Sequence, residues 1–205
     1  MSQMGITFFF FFVVGVIALA MIVHGWIDKK RISKNFLQLS EPLSGRVVQE
    51  SRFFYPRFTG EIEGRQVDLF FEVVKVGRKH ILYYIYSLKS EITCSLLLLK
   101  SDEYKAGKGS AEAIEAAGTL VSEAKDAYEI RTQNEAEASA IIEGADLKER
   151  LTALDEFSSL QLGPDALVVG KPYDGIADTE SVNIMKNVRA LVDLAKAMEQ
   201  CQVPA

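Results

Sequence analysis

The sequence predicts an α+β protein: one N-terminal transmembrane helix followed by a soluble domain with an antiparallel β-meander and packed helices. Three observations predict it. Residues 1–27 contain no Asp, Glu, Lys or Arg. Residues 65–74 place Val67, Leu69, Phe71 and Val73 on one face, with Asp68 and Glu72 on the other, the period of a half-buried strand. Near the C-terminus Ile184, Val188, Leu191, Ala195 and Met198 recur at helical spacing. Strands come first, then mixed elements, then a long helix, with no βαβ alternation and no internal repeat.

The apolar stretch 6–27 holds 22 residues. At the rise of an α-helix it extends about 33 Å, enough for a hydrocarbon core of about 30 Å. Lipid also accounts for the run Phe8 to Phe12, which water would not tolerate, and Trp26 stands where an interfacial aromatic belongs. The competing reading is a cleaved signal peptide. Ala18-Leu19-Ala20 imitates its cleavage site, but the apolar run continues through Ile22 and Val23 and no basic residue precedes it. The expected contact of residues 6–27 is therefore the lipid bilayer. Lys29, Lys30, Arg31 and Lys34 follow the run, and a basic flank marks the cytoplasmic side. The expected topology is single-pass, N-terminus outside and C-terminal domain cytoplasmic.

The expected organisation is a transmembrane anchor over 1–27, a juxtamembrane segment over 28–44 that ends at Glu41-Pro42, and an α+β domain over 45–205. Residues 45–100 are β-rich, with turns at Glu63-Gly64 and Gly77-Arg78-Lys79. Residues 81–88 and 92–99 are apolar on both faces and read as central strands of the meander. Residues 101–205 read as mixed helix and strand. After a loop at 101–110, an Ala/Glu-rich helix is expected over 111–127 and a strand over 128–132. Asn134 and Glu137 form a capping box for a helix ending near Gly144, and a short helix is expected over 146–156. A hairpin turns at Gly163-Pro164-Asp165, a loop occupies 169–175, and Asp178-Thr179 caps the final helix.

Searching this chain for chemistry yields little. Two His and two Cys, at positions 24, 80, 94 and 201, lack ligand spacing, so no metal is expected. His80 has no Gly-x-Ser-x-Gly elbow to serve. Gly107-Lys108-Gly109-Ser110 imitates a phosphate loop, but Gly109 stands where Ser or Thr is required and Asp102 where the first Gly belongs. The sequence points to no catalytic residue and no cofactor. The net charge of −5 argues against nucleic acid as a partner. Charge is divided unevenly: residues 28–105 carry 14 Lys and Arg against 10 Asp and Glu, residues 106–205 carry 9 against 18. The basic half comes directly after the apolar run, beside the expected anionic leaflet.

Two local features stand out. Arg52, Phe53, Phe54, Tyr55 and Arg57 interleave arginine with aromatics, a composition suited to a lipid headgroup layer or a protein partner. Lys171 and Tyr173 lie in a Gly/Pro-bounded loop suited to partner contact. The function expected from these features is a membrane-anchored, non-catalytic accessory or interaction protein of a membrane assembly. Its partner would be a membrane protein or a second copy of itself. The alternative is a tethered domain that binds lipid or a small ligand in a pocket between sheet and helices; a membrane-bound enzyme stands third.

Overall fold

The computed structural model describes residues 3–51, 53–76, 79–92, 95–100, 119–124, 128–132, 135–144, 147–154, 157–163 and 165–201. Helix α1, Gln3–Leu37, has 35 residues, so its axis runs about 52 Å. The strands are β1 (Arg46–Val48), β2 (Arg57–Ile62), β3 (Arg65–Val76), β4 (Lys79–Lys89), β5 (Leu96–Lys100), β6 (Thr119–Ala124), β7 (Tyr128–Thr132), β8 (Ser159–Leu162) and β9 (Ala166–Pro172). Helices α2 (Glu135–Gly144) and α3 (Leu147–Ala153) lie between β7 and β8, and α4 (Ser181–Gln200) is the last described element. The strands form one antiparallel sheet in the order β1-β2-β3-β4-β9-β8-β5-β7-β6. The α+β class is as the sequence predicts.

Local chemistry explains the regular parts. Between β2 and β3, Glu63 and Gly64 both take positive φ, 52° and 78°, the conformation that lets a two-residue turn match the strand twist. In β4 alternation is overridden: Tyr84, Tyr86 and Leu88 enter the main core, while Tyr83 and Ile85 on the reverse face are also buried. β5 repeats the pattern with Leu96 and Leu98 against Leu97 and Leu99. Both are interior strands, in keeping with their apolar runs. Helix α4 lays Ile184, Val188, Leu191, Ala195 and Met198 onto the sheet, none more than 1% exposed.

Helix α1 does not stop at the end of the apolar run but continues into the domain core. Ile32 and Phe36 from its last turns, with Leu39 and Leu43 from the turns after it, are fully buried in the core that the sheet and α4 share. Leu43 O accepts Glu61 N–H at 2.6 Å, which ties the end of this segment to β2. Gly60 permits the approach: a Cβ there would stand 2.6 Å from Leu43 O and 2.7 Å from the Phe58 ring.

Four expectations are corrected. The meander ends after β4: β9 takes its free edge from Tyr83 to Lys89, and β5 crosses to lie between β8 and β7. Burial on two faces requires neighbours on both edges but does not say which strands supply them. The helix expected over 111–127 is not realised at 119–124, which form β6 paired with β7 through a register shift between Leu120 and Ser122. Pairing of the Thr-Leu-Val run outweighs the helix propensity of the Ala and Glu around it. The expected loop at 169–175 is strand as far as Pro172. The final helix starts at Ser181 after a 3₁₀ turn at Ile176–Thr179. Asp178 does not cap it, because its carboxylate accepts from Lys171 Nζ at 2.7 Å and from Asp174 N–H at 2.9 Å. Arg52, Gly77-Arg78, Cys94, Asn134 and the Gly107-Lys108-Gly109-Ser110 loop lie outside the described residues.

Candidate functional site

The two features singled out in the sequence, more than a hundred residues apart, meet at one end of the sheet beside α1. Their common floor is Phe71 of β3. Tyr55 packs on it at 4.7 Å between ring centroids, Tyr173 meets it edge-on at 5.2 Å, and Tyr84 stacks beneath at 4.8 Å. Phe36 of α1 completes the cluster at 6.1–6.3 Å from Tyr84 and Phe71. Alternation brings this about: Phe71 and Tyr84 are cross-strand partners on the face that α1 covers.

Lys29 joins α1 to the 51–55 loop. Its Nζ donates to Phe53 O at 2.5 Å and lies 5.0 Å above the Tyr55 ring. Lys30 bends back over Trp26 at 5.5 Å. Lys30, Arg31 and Lys34 present exposed side chains around the helix. Asp28 sits at the same level. Burial, and then the negative charge of Asp28, push the Tyr173 phenol up to about 12, and the same two causes raise Tyr55. His24 Nε2 lies 3.4 Å from an Asp28 oxygen one turn on, an acidic neighbour that lies just past the apolar run.

Lys171 is placed differently from expectation. It is 6% exposed, on β9, and forms an ion pair with Asp178. Beside that pair, Asn35 of α1 donates to Thr179 Oγ1 at 3.0 Å and Thr179 donates to Ile176 O at 2.7 Å. The 3₁₀ turn that leads into α4 is therefore pinned to α1. Tyr173 is half-buried, one edge against Phe71. Arg57 leaves the cluster for the opposite face of the sheet, 3.3 Å from Asp68 and over the Phe70 ring at 5.2 Å. Arg65 is engaged by both Glu199 carboxylate oxygens at 2.6 Å, which holds Glu199 below the usual carboxylate range. These two arginines are occupied within the fold, whereas Arg46 is exposed.

For catalysis the described residues offer no assembled group. His80 is exposed where β4 begins, opposite Lys75. Among the described residues no three His, Cys, Asp or Glu side chains gather as a metal site. Among the described residues, two openings of ligand size border α4 on its outer side, and a third of about 370 Å³ lies between Gly45, Gly60 and Gln66. The first, about 680 Å³, runs between Gln38 and Pro42 on one side and Val182, Met185 and Arg189 on the other. The second, about 390 Å³, continues it past Ile62 and Val192. These two are open troughs.

Sequence reasoning misses Phe36, Phe71 and Asp28 as members of this site. A signal exists for the first, since Ile32, Phe36, Leu39 and Leu43 succeed one another at intervals of four, three and four residues, the spacing of a helical stripe. Phe71 is legible as an inward strand residue; nothing local says which loops will meet on it.

No protein-family model and no curated protein sequence matches this chain. Its fold is similar to a solved one, the crystal structure of the mycobacterial trehalose monomycolate transport factor A, TtfA. The TM-score is 0.57 at 12% sequence identity, over 88% of this chain and 97% of that one. At that identity the likeness is one of fold.

Proposed function

We propose that this chain is a single-pass, membrane-anchored accessory protein, without catalysis of its own, whose α+β domain serves a lipid-handling membrane assembly from the cytoplasmic side. The observation that carries this reading is the continuity of α1. Among the described residues it is the one helix long and apolar enough to cross a membrane. The same helix delivers Ile32 and Phe36 to the domain core. An anchor that must orient a domain has reason to run on into its core. The basic residues Lys30, Arg31 and Lys34, exposed around α1 just past the apolar run, favour a cytoplasmic domain. Lipid handling is supported by the fold neighbour, which is a transport factor for trehalose monomycolate.

Affinity capture of the full-length protein from native membranes, after mild solubilisation, tests the proposal. A defined membrane-protein partner is expected, retained across several detergents. A monomer with no associated protein in every detergent contradicts it. The trough of about 680 Å³ beside α4 favours the second reading, a tethered lipid-binding domain, because its volume falls within the range of ligand sites. Extraction and mass spectrometry of lipid from the same preparation separates the two. A stoichiometric lipid that is lost when Met185→Glu fills the trough with charge supports the second reading.

A further inference from the structure

The segment between β1 and β2 leaves two aromatic rings open to solvent, Phe53 at 79% and Phe54 at 62%. Adjacent exposed phenylalanines on a folded surface mark a contact, and three observations identify its partner. The first is level. Phe53 O is held by Lys29, two residues past the end of the apolar run, and side chains of a helix lean toward its N-terminus. Lys30 shows that lean, its ammonium lying over Trp26 four residues earlier. The tip therefore sits level with Trp26 and Ile27, the height of a bilayer interface if α1 spans.

The second is polar satisfaction. A loop entering a medium poor in water must leave no backbone group unpaired. Phe53 N–H donates to Ser51 Oγ at 3.2 Å and Phe54 N–H to Ser51 O at 3.2 Å. Phe53 O accepts from Lys29, and Phe54 O from Gln49 Nε2 at 3.1 Å. All four groups of the tip are paired within the protein, while both rings point free. The third is stiffness. Tyr55, clamped between Lys29 and Phe71, fixes the loop against α1 and the sheet, so the rings need no reordering to be presented.

We infer that the Phe53-Phe54 tip is a second, interfacial contact with the bilayer, entering the boundary between headgroups and acyl chains beside α1 and fixing the rotation of the domain about that helix. This rests on the reading of α1 as a membrane span. Exposed Lys30, Arg31 and Lys34 at the same end meet the anionic headgroups around it. A protein partner and a second copy of the chain are the other occupants of such a tip, and the test separates them from lipid.

The chain has a single tryptophan, so Trp26→Phe gives a silent background for reporter tryptophans. The full-length protein is reconstituted in phosphatidylcholine–phosphatidylglycerol vesicles containing lipids brominated near the headgroup end or near the methyl end of the chain. Phe53→Trp, Phe54→Trp, Phe12→Trp within the apolar run and Val182→Trp on α4 are compared. The expected result is blue-shifted emission for F53W and F54W, with quenching several-fold above V182W and stronger from shallow bromine than from deep. Quenching of F12W with F53W and F54W no different from V182W overturns the loop contact and leaves the span standing; the tip then belongs to a protein partner or a second copy. Absence of quenching at F12W removes the span, and the loop contact with it. Both replaced rings in the loop are exposed, and agreement between F53W and F54W guards against a local distortion at either.

Discussion

The two halves of α1 share one backbone and differ in almost everything else. From Phe12 to Trp26 the large apolar side chains lie open all round the helix, Leu19 at 63% and Met21 at 65%, whereas Ile32 and Phe36 are fully buried. The first half is apolar without a face; the second has a stripe and carries charge elsewhere. The difference is the one expected of a helix built for two environments. Uniform apolarity suits a surrounding that is itself uniform, such as acyl chains, and a stripe suits a protein core on one side with water on the other. The helix crosses from one regime to the other within the turn holding Asp28, Lys29 and Lys30, the same turn that fastens the 51–55 loop.

The largest effect should come from cutting the chain on either side of that second half. A fragment of residues 28–205 should fold, and a fragment of residues 45–205 should not. The shorter one loses Ile32, Phe36, Leu39 and Leu43, each contributing roughly 1.5–3 kcal/mol, a total comparable to the whole stability of a domain. Far-UV circular dichroism and amide NMR dispersion of the two fragments decide it. Equal folding of both would make the segment over 28–44 a linker.

A single residue should separate the halves more gently. Phe36→Ala removes the ring that Phe58, Phe71 and Tyr84 surround and should cost about 3–5 kcal/mol. Phe12→Ala should leave the unfolding midpoint of the domain in nanodiscs unchanged. A similar loss at both positions would mean that the outer half also packs against protein.

Acid should reveal the contact that holds α4 to the far end of β3. In the folded chain Arg65 depresses the Glu199 carboxyl below its ordinary value of 4.5. The unfolded chain therefore binds a proton first, so the contribution of the pair is full above about pH 4.5 and is lost as pH falls through the lower folded value. Unfolding measured from pH 7 to pH 3 should show a loss of up to about 1 kcal/mol that Arg65→Gln largely removes, the Glu91 N–H at 3.1 Å from Glu199 keeping the rest. If the acid dependence persists undiminished in R65Q, other carboxylates set it. The smallest effect belongs to Tyr84→Phe. The fully buried Tyr84 hydroxyl lies beside Tyr86, and the ring makes most of the contacts, so stability should change by less than about 1 kcal/mol. A larger loss would show that the hydroxyl is bonded in solution.

The same contrast shows what is legible from sequence. Runs with a local physical cause are readable: the uncharged 1–27 stretch, the alternation of Val67 to Val73, the two-residue turn at Glu63-Gly64 and the stripe of α4. The departures lie where a strand chooses between distant partners. Nothing in residues 96–100 says that they pair with 159–162 and 128–132 rather than with β4, and nothing near Thr119 says that a neighbouring strand awaits it. The site is half legible. Composition singles out Phe53, Phe54, Tyr55 and Tyr173, but the meeting of their two segments on Phe71 depends on register across β3, β4 and β9. Arg57 and Lys171 look equally available in the sequence, yet folding commits them to Asp68 and Asp178.

Hydrogen exchange of the full-length protein in nanodiscs, read out by mass spectrometry, tests the central claim most directly: one unbroken helix carries the apolar run into the domain core. Amides over 28–37 should exchange as slowly as those of β3 and β4, with no fast window after Ile27. Rapid exchange over 28–34, flanked by protected segments on both sides, would contradict the claim, because the apolar run and the domain would then be joined by a flexible tether.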